Sequence, residues 1–202
     1  MSTFQKEGNM EIGGIVENII KKRKTTYGDF SLNRIKMGDT ICVKDDGGFF
    51  GFGIYLKQKK AGFSEEHARY IHLEVSGGGN RSVRIAPPRA KVIDITKVYA
   101  GRYIKILRYT GEDWDRKRKH IAWINATLCN TKYDRKGILG FLVGWIKHHV
   151  SKWFCSEGWL YSHQAEYPGA LKGMAPDKCM PAHAVRSPEL RTIWEGYVPR
   201  KV

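Results

Sequence analysis

Short stretches of the chain alternate apolar and polar residues, a period that predicts β-strands. The glycine-rich segment 76–80 separates two of these stretches and has the composition of a hairpin turn. Strands joined by a hairpin are antiparallel, so the pattern predicts a small antiparallel sheet. The predicted strands cover residues 40–44, 70–75, 82–86, 91–95 and 103–108.

Helical spacing of apolar residues appears on both sides of these strands. The stretch 49–56 fits a short helix and a strand equally well, because glycines interrupt its pattern. No internal repeat or linker divides the chain. We therefore expect one α+β domain over residues 1–202, a sheet packed against helices, with residues 1–36 as an N-terminal helical extension. Helices are predicted at 10–24, 113–125, 137–150 and 188–194, with a further helix opening at Cys155.

The composition is that of a globular protein: 42% of the 202 residues are hydrophobic and 12% are aromatic. The longest apolar run, 138–146, is too short to cross a bilayer. The first residues lack the apolar core of a secretory signal, so we expect synthesis in the cytoplasm. The cysteines show no disulfide framework, because their spacing is irregular: Cys42, Cys129, Cys155 and Cys179.

A formal net charge of +15 is the strongest compositional signal. It favours an anionic partner, which is a nucleic acid, a membrane surface or a cell-wall polymer. No nucleic-acid-binding motif accompanies it. A basic surface that serves only solubility is the alternative, and the composition leaves both open. The densest run of cations is residues 116–119, on the predicted helix 113–125.

Cys155 is the leading candidate for chemistry. A thiol in the first turn of a helix lies at the positive end of the helix dipole, which favours the nucleophilic thiolate. The unpaired N–H groups of that turn are suited to bind an oxyanion. The alternative is a buried core cysteine, since cysteine is among the residue types most often buried.

His72 is the best-placed base for Cys155, because it lies on a predicted core strand that a helix N-terminus can face. A core histidine with one backbone hydrogen bond is the alternative. Cys179 and His183 have metal-ligand spacing, but a structural zinc needs about four ligands and no matching second pair follows. We therefore expect no metal and no cofactor.

Four segments in this order resemble the YiiX-type branch of the NlpC-like superfamily: residues 38–43, 70–75, 132–137 and 153–157. The resemblance runs from about residue 38 to residue 190. It implies a circularly permuted papain-like fold and a thiol hydrolase of amide bonds, or less often of ester or thioester bonds. It also implies that Cys155 is the nucleophile and His72 its base.

The family places a side chain that orients the imidazole on the strand after the histidine. Here that strand, 82–86, carries no carboxylate. Asn80 and Ser82 are candidates for this role, as is Glu74, which shares a strand face with His72. A Cys–His dyad without a third member, or an inactive protein, is the alternative.

The resemblance also implies a substrate-binding role for Tyr133, Asp134 and Ser156. For the first two the alternative is structural, with Tyr133 in the core and Asp134 as the N-cap of the following helix.

We expect a cysteine peptidase or amidase that acts on a peptide-type amide, such as a peptidoglycan stem peptide. One alternative is a catalytically idle module of the same fold that holds an anionic polymer. Another is a lipid-ester or acyl-transfer enzyme at anionic membranes. A small, basic, single-domain chain also fits a phage product, carried in the virion or released by lysis. The oligomeric state is not predicted.

Overall fold

Six antiparallel strands form the central sheet, and the predicted α+β class, an antiparallel sheet packed against helices, is confirmed. The computed structural model describes residues 29–45, 47–109, 114–134, 152–167 and 170–200. The strands of the sheet are β1 (Met37–Lys44), β2 (Tyr70–Gly78), β3 (Arg81–Arg84), β4 (Lys91–Asp94), β5 (Tyr103–Tyr109) and β8 (Leu190–Tyr197). They lie in the order β4-β3-β2-β1-β5-β8. Two short parallel strands, β6 (Lys132–Tyr133) and β7 (Lys152–Trp153), form a separate pair.

The helices surround this sheet. The ambiguous stretch 49–56 is helical, and the predicted helices at 10–24 and 137–150 lie outside the described residues. The helices are α1 (Phe49–Lys60), α2 (Glu65–Ala68), α3 (Ile95–Val98), α4 (Trp114–Thr127), α5 (Cys155–Glu166) and α6 (Pro181–Arg186), with 3-10 turns at Leu32–Arg34 and Pro176–Lys178.

The helix predicted over 188–194 is wrong, because this segment belongs to strand β8. β8 pairs with β5 along its whole length, and Glu195 lies opposite Lys105. Lys105 Nζ is 3.0 Å from the Glu195 carboxylate. The helical spacing is thus overridden by pairing with a sheet edge and by a buried ion pair.

The register of the sheet sorts side chains onto two faces. Cys42 lies opposite Leu73, and Ile41 lies opposite Glu74. The first face packs against α4 and α5 in a core that includes Leu107, Ile121, Trp159 and Leu160. The second face packs with a core that includes Ile104, Ile106, Tyr99 and Trp194.

A buried ion pair fixes the start of β1. Arg108 donates from Nε and Nη2 to the two carboxylate oxygens of Asp39, at 2.7 and 2.6 Å. The Asp39 side chain is fully buried. Gly38 has φ +80°, and a Cβ there would collide with the backbone carbonyl of Arg118 on α4. Glycine is therefore required where β1 passes closest to α4.

The Gln58 side chain, fully buried, joins three elements. Its Nε2 donates to the carbonyls of Ala68 and Tyr70, at 2.7 and 3.0 Å. Its Oε1 accepts from the backbone N–H of Ala182 at 2.7 Å. Helix α1 is thus tied both to the start of β2 and to α6.

The N-terminal helical extension and the single-domain organisation both stay predictions. Of the predicted N-terminal extension, residues 1–28 lie outside the described part, and Leu32–Arg34 forms only a 3-10 turn. Single-domain organisation over 1–202 stays a prediction. None of the helices in the described ranges has the length and apolar character needed to cross a membrane.

Candidate active site

Cys155 is the first residue of helix α5, directly after the N-cap residue Phe154. Gly158 donates its N–H to the Phe154 carbonyl at 3.0 Å, which closes the first turn. The Cys155 thiol therefore lies beside helix N–H groups that have no intrahelical partner. Only 3% of the residue is exposed, so it lies at the bottom of the site.

His72 lies next to Cys155, on the part of strand β2 that is not paired with β3. Strand β3 pairs with β2 from Gly78 back to Val75, which is opposite Val83. Residues 70–74 of β2 are not paired with β3, so the N-terminus of α5 can lie beside them. The Leu73 N–H and the His72 side chain both hydrogen-bond the Cys155 sulfur. The structure thus brings together the two residues that the sequence singled out.

The two side chains shift each other's protonation. Burial favours neutral His72, but the Cys155 thiolate and its hydrogen bond outweigh burial, and Glu74 adds to them, so the His72 pKa rises to about 9. Burial also favours a neutral Cys155. The His72 charge and hydrogen bond, with the N–H groups of Leu73 and Ser156, outweigh it and lower the Cys155 pKa. The arrangement favours a thiolate–imidazolium pair.

Glu74 holds the other side of the imidazole. His72 Nε2 donates to Glu74 Oε1 at 3.2 Å, which leaves Nδ1 as the ring nitrogen for the sulfur. The Glu74 side chain is fully buried, whereas 16% of the His72 side chain is exposed. A carboxylate in this position fixes both the tautomer and the orientation of the ring.

Two hydroxyl groups hold Glu74 in turn. Ser82 on β3 donates to Oε2, and Tyr99, the residue after α3, donates to Oε1. Arg84 Nε lies 3.8 Å from Oε1. Burial, followed by the charge of Glu74, raises the pKa of Tyr99, so its hydroxyl stays protonated and donates. A buried carboxylate needs such donors to remain charged.

The three candidates for orienting His72 therefore differ. Glu74 contacts the ring directly. Ser82 contacts Glu74 and acts only through it. Asn80 is the wrong candidate, because its side chain donates to Asp94 at 2.9 Å, within the β2–β3–β4 corner.

Tyr133 packs beside Cys155. It joins the apolar cluster that contains Cys155 and Ile85, and it also contacts the cluster of Phe154 and Ile54. Burial and then the Cys155 thiolate raise the pKa of Tyr133, so it stays protonated. Strand β6 holds it there, with Tyr133 opposite Trp153.

Asp134 and Ser156 are both buried. The Asp134 backbone N–H donates to the Trp153 carbonyl at 3.0 Å, and the helix that it was expected to cap lies outside the described residues. The Ser156 hydroxyl donates to the Cys179 carbonyl at 2.6 Å. The Ser156 backbone N–H hydrogen-bonds Cys155, and the substrate-binding role of Ser156 stays a prediction.

A carboxyl group also lies in the first turn of α5. Glu157 accepts the Phe154 N–H at 3.3 Å, and burial raises its pKa to about 8. The neutral form of Glu157 therefore predominates at neutral pH. A negative charge that would oppose the Cys155 thiolate is largely removed.

The other three cysteines differ from Cys155 in the direction of their pKa shift. Burial raises the pKa of Cys42, Cys129 and Cys179. Cys155 is thus the one cysteine of the chain whose pKa is lowered.

Two further histidines have hydrogen-bond partners of their own, and one of them, His183, belongs to the Cys179–His183 pair with metal-ligand spacing. His183 Nδ1 accepts the Met180 N–H at 2.9 Å. Burial lowers the pKa of His163 on α5 to about 4, and its Nδ1 hydrogen-bonds the Trp159 carbonyl. In the ranges that the structure describes, no three His, Cys, Asp or Glu side chains converge to hold a metal ion.

Sequence comparison matches the chain to no family model and to no curated protein. Its fold is similar to the crystal structure of the metalloprotein YiiX from Escherichia coli O157:H7, of the family DUF1105, with a TM-score of 0.58 and 13% identity. The similarity covers 81% of this chain and 99% of YiiX. At this identity the likeness concerns the fold alone, and it agrees with the predicted YiiX-type α+β fold.

Two parts of the site were not among the sequence candidates. Tyr99 lies 25 residues from Glu74 in the chain, and no motif marks it. The N–H of Leu73 is a backbone group, exposed to the thiol only because β3 diverges from β2. The one signal for such a partner was Glu74 itself, because a carboxylate that is buried on a strand needs hydrogen-bond donors from neighbouring elements.

Proposed function

We propose that the protein is a thiol hydrolase of peptide-type amide bonds, a cysteine peptidase or amidase. Cys155 is the nucleophile, His72 the acid and base, and Glu74 the group that orients His72. The observation that carries this proposal is a thiol at the start of a helix, hydrogen-bonded to an imidazole whose other nitrogen contacts a buried carboxylate. A thiol, a base and an orienting group in this order are the components of nucleophilic catalysis.

Acylation begins from the ion pair. The Cys155 thiolate attacks the amide carbonyl carbon, forms the S–C bond and moves charge to the carbonyl oxygen. The His72 imidazolium donates its proton to the nitrogen as the C–N bond breaks. The amine leaves, and a thioester remains on Cys155.

Deacylation reverses the role of His72. The neutral imidazole takes a proton from water as the water oxygen attacks the thioester carbon. The S–C bond then breaks, which releases the carboxylic acid and restores the thiolate–imidazolium pair. Glu74 stabilises the imidazolium through its contact with Nε2.

The N–H groups of the first turn of α5 are the donors for the oxyanion. They belong to a 12-residue helix, whose dipole adds to their partial positive charge. Tyr133 is a further wall of this site, because its ring packs in the same cluster as Cys155.

Peptidoglycan stem peptides are the proposed substrates for the first assays. The chain carries a formal charge of +15, which favours approach to an anionic wall polymer. YiiX is described as a metalloprotein. In the part of this chain that the structure describes, no three ligand-type side chains converge, and the proposed scheme uses the side chains of Cys155, His72 and Glu74.

Selective alkylation tests the nucleophile first. Treatment with iodoacetamide at about neutral pH, followed by peptide mass spectrometry, should modify Cys155 much faster than Cys129. Cys129 is the matched control, because it is partly exposed and burial raises its pKa. Replacement of His72 by Ala should slow the reaction at Cys155. Equal rates at the two cysteines would contradict the proposal.

Hydrolysis of peptidoglycan fragments and peptide amides by the unaltered protein and by Cys155→Ala tests the reaction itself. The Cys155→Ala protein should melt normally and lose all turnover. A reactive Cys155 without turnover of any amide would favour the idle binding module, and turnover of lipid esters would favour the acyl-transfer alternative.

A further inference from the structure

A cleft of about 590 Å³ opens at one end of the central sheet, and Cys155, His72 and Glu74 do not line it. Its walls come from the end of β1, from α1, from the segment 65–69, and from the adjoining ends of β5 and β8. The volume lies in the range of small-molecule binding sites, about 300–1,000 Å³. The cleft is therefore large enough for a ligand of its own.

Aromatic side chains form two of these walls. Phe52 and Tyr55 on α1 stack with ring centroids 6.1 Å apart, and Tyr103 and Tyr197 meet edge to face at 5.0 Å. Phe52 is 52% exposed and Tyr197 is 40% exposed. A large aromatic surface thus stays open to solvent in the cleft, and such a surface favours contact with a flat apolar group.

Lys44 at the end of β1 supplies the charge. Its Nζ lies 4.4 Å from the centroid of the Tyr103 ring and 5.6 Å from that of Tyr70. Within the part of the chain that the structure describes, Lys44 forms no ion pair. The nearby carboxylate of Glu195 is already held by Lys105 at 3.0 Å and by the hydroxyls of Tyr70 and Tyr103.

The acidic residues of the cleft have hydrogen-bond or ion-pair partners, whereas the contacts of Lys44 Nζ are with aromatic rings. Glu65 accepts from the Tyr55 hydroxyl at 2.7 Å and from Arg69 Nε at 2.8 Å. Asp45 Oδ1 accepts the Gly47 N–H at 3.0 Å. The half-buried ammonium is therefore the charge in this cleft that a ligand is best placed to neutralise, and burial already lowers the pKa of Lys44.

We propose that this cleft binds a small planar carboxylate, with its flat face against the aromatic side chains and its carboxylate on Lys44 Nζ. A partly desolvated ammonium gains more from an anion than a fully hydrated one does. The aromatic walls add apolar contact area and select for a flat ligand. The site is independent of the hydrolase proposal, because Cys155 and His72 are not among its lining residues.

Two probes of equal shape and different charge test the proposal. 2-Naphthoate is planar and anionic, whereas 2-naphthamide has nearly the same planar shape and is neutral. Isothermal titration of the full chain at low salt should give an affinity at least about tenfold higher for 2-naphthoate, a difference of about 1.4 kcal/mol. The Lys44→Met variant should lose this preference. Lys60→Met is the matched control, because Lys60 is exposed at the end of the same wall helix and does not line the cleft.

Three results would overturn the proposal: equal affinity for the two probes, no binding of 2-naphthoate at about 5 mM, or unchanged binding by Lys44→Met. If Lys44→Met fails to fold, the comparison of the two probes on the unaltered protein decides the question alone. The Cys155→Ala protein should bind 2-naphthoate as the parent does, so this test and the test of the hydrolase succeed or fail separately.

Discussion

Glu74 lies two residues after His72 on the same strand and accepts a hydrogen bond from its Nε2 at 3.2 Å. The orienting carboxylate thus comes from the strand that carries the base. Neighbouring β3 contributes Ser82 to Glu74 instead of a side chain to the ring. The position of the imidazole is therefore set within β2, and it depends on the hydroxyl groups that hold Glu74.

The protonation of the site predicts the pH dependence of hydrolysis. The thiolate–imidazolium pair exists between the lowered pKa of Cys155 and the His72 pKa of about 9. We expect kcat/KM to rise below pH 9, the ordinary pKa of a thiol, and to fall again through about pH 9 as His72 loses its proton. A pH profile with its acid limb at or above pH 9 would contradict this assignment.

The raised pKa of His72 also makes the stability of the folded protein depend on pH. The His72 pKa is higher in the folded chain than its ordinary value of 6.5. The stabilisation is therefore fully present below pH 6.5 and is lost as pH rises through about 9. We expect His72→Gln to remove this loss. Urea unfolding of both proteins across this pH range measures it, and equal pH dependence of the two proteins would contradict the prediction.

Glu74→Gln should disturb the orientation and the pKa of His72 while it leaves the fold intact. The amide keeps the shape but removes the negative charge that helps to raise the pKa of His72, so the alkaline limb should move below pH 9. By analogy with other catalytic triads, we expect kcat to fall by about 10²- to 10⁴-fold. The pH profile of kcat is the measurement, and an unchanged alkaline limb would exclude Glu74 from this role.

Tyr99→Phe should have a milder effect of the same kind, because Tyr99 positions Glu74 without contacting His72. We expect kcat to fall while KM stays constant, and stability to fall by about 2 kcal/mol as the buried carboxylate loses a donor. Tyr103→Phe is the control, since its hydroxyl donates to Glu195 at 2.9 Å and not to Glu74. That variant should lose stability without any change in the pH profile.

Gly158, in the first turn of α5, lies close to the side chains of Ile85, the residue after β3, and Leu128. A Cβ at this position would collide with Ile85 Cδ1 and crowd Leu128 Cδ1 at 3.1 Å. We expect Gly158→Ala to destabilise the protein by about 1–3 kcal/mol and to displace Cys155. Ile85→Val removes the colliding methyl group. The double variant should therefore lose less stability than the sum of the single variants, and strict additivity would contradict the contact.

The four cations of the basic segment 116–119 are not equally exposed. Arg118 is 8% exposed and donates to the Tyr109 carbonyl at 3.4 Å and to Asp115 at 2.9 Å. Its removal would therefore damage the packing of α4 on β5. The surface test of polyanion binding has to keep Arg118.

We expect replacement of Arg116, Lys117 and Lys119 by Gln to weaken binding to double-stranded DNA or to anionic vesicles. For DNA, the slope of log K against log salt should become less steep by about 0.9 for each phosphate that the variant no longer neutralises. Turnover of a small peptide should not change, because the segment is not part of the Cys155 site. Identical slopes for both proteins would mean that the charge serves only solubility.

The strands and Cys155 have local signals in the sequence, and the resemblance to the YiiX-type branch added the pairing of Cys155 with His72. Alternation marks the strands, and a cysteine in the first turn of a helix is visible within the segment 152–160. Strand β8 was predicted as a helix, because its identity depends on pairing with β5, which no local pattern reports.

The support of His72 was harder to predict. Side chains at i and i+2 on a strand share a face, but whether they touch depends on rotamers and on what surrounds them. Glu74 turns toward His72 because Ser82 and Tyr99 hold it there, and Tyr99 comes from a distant part of the chain. The register of β2 against β3 decides this contact, and the sequence does not determine that register by itself.

The three hydrogen bonds of Gln58 also affect how the protein moves. Because they join α1 to the start of β2 and to α6, helix α1 cannot swing away without exposing a buried amide and two backbone carbonyls. The aromatic wall of the cleft and the strand that carries His72 should therefore fluctuate together. In hydrogen–deuterium exchange, the Ala182 amide proton should exchange only in openings large enough to release α1, and Gln58→Leu should make those openings frequent.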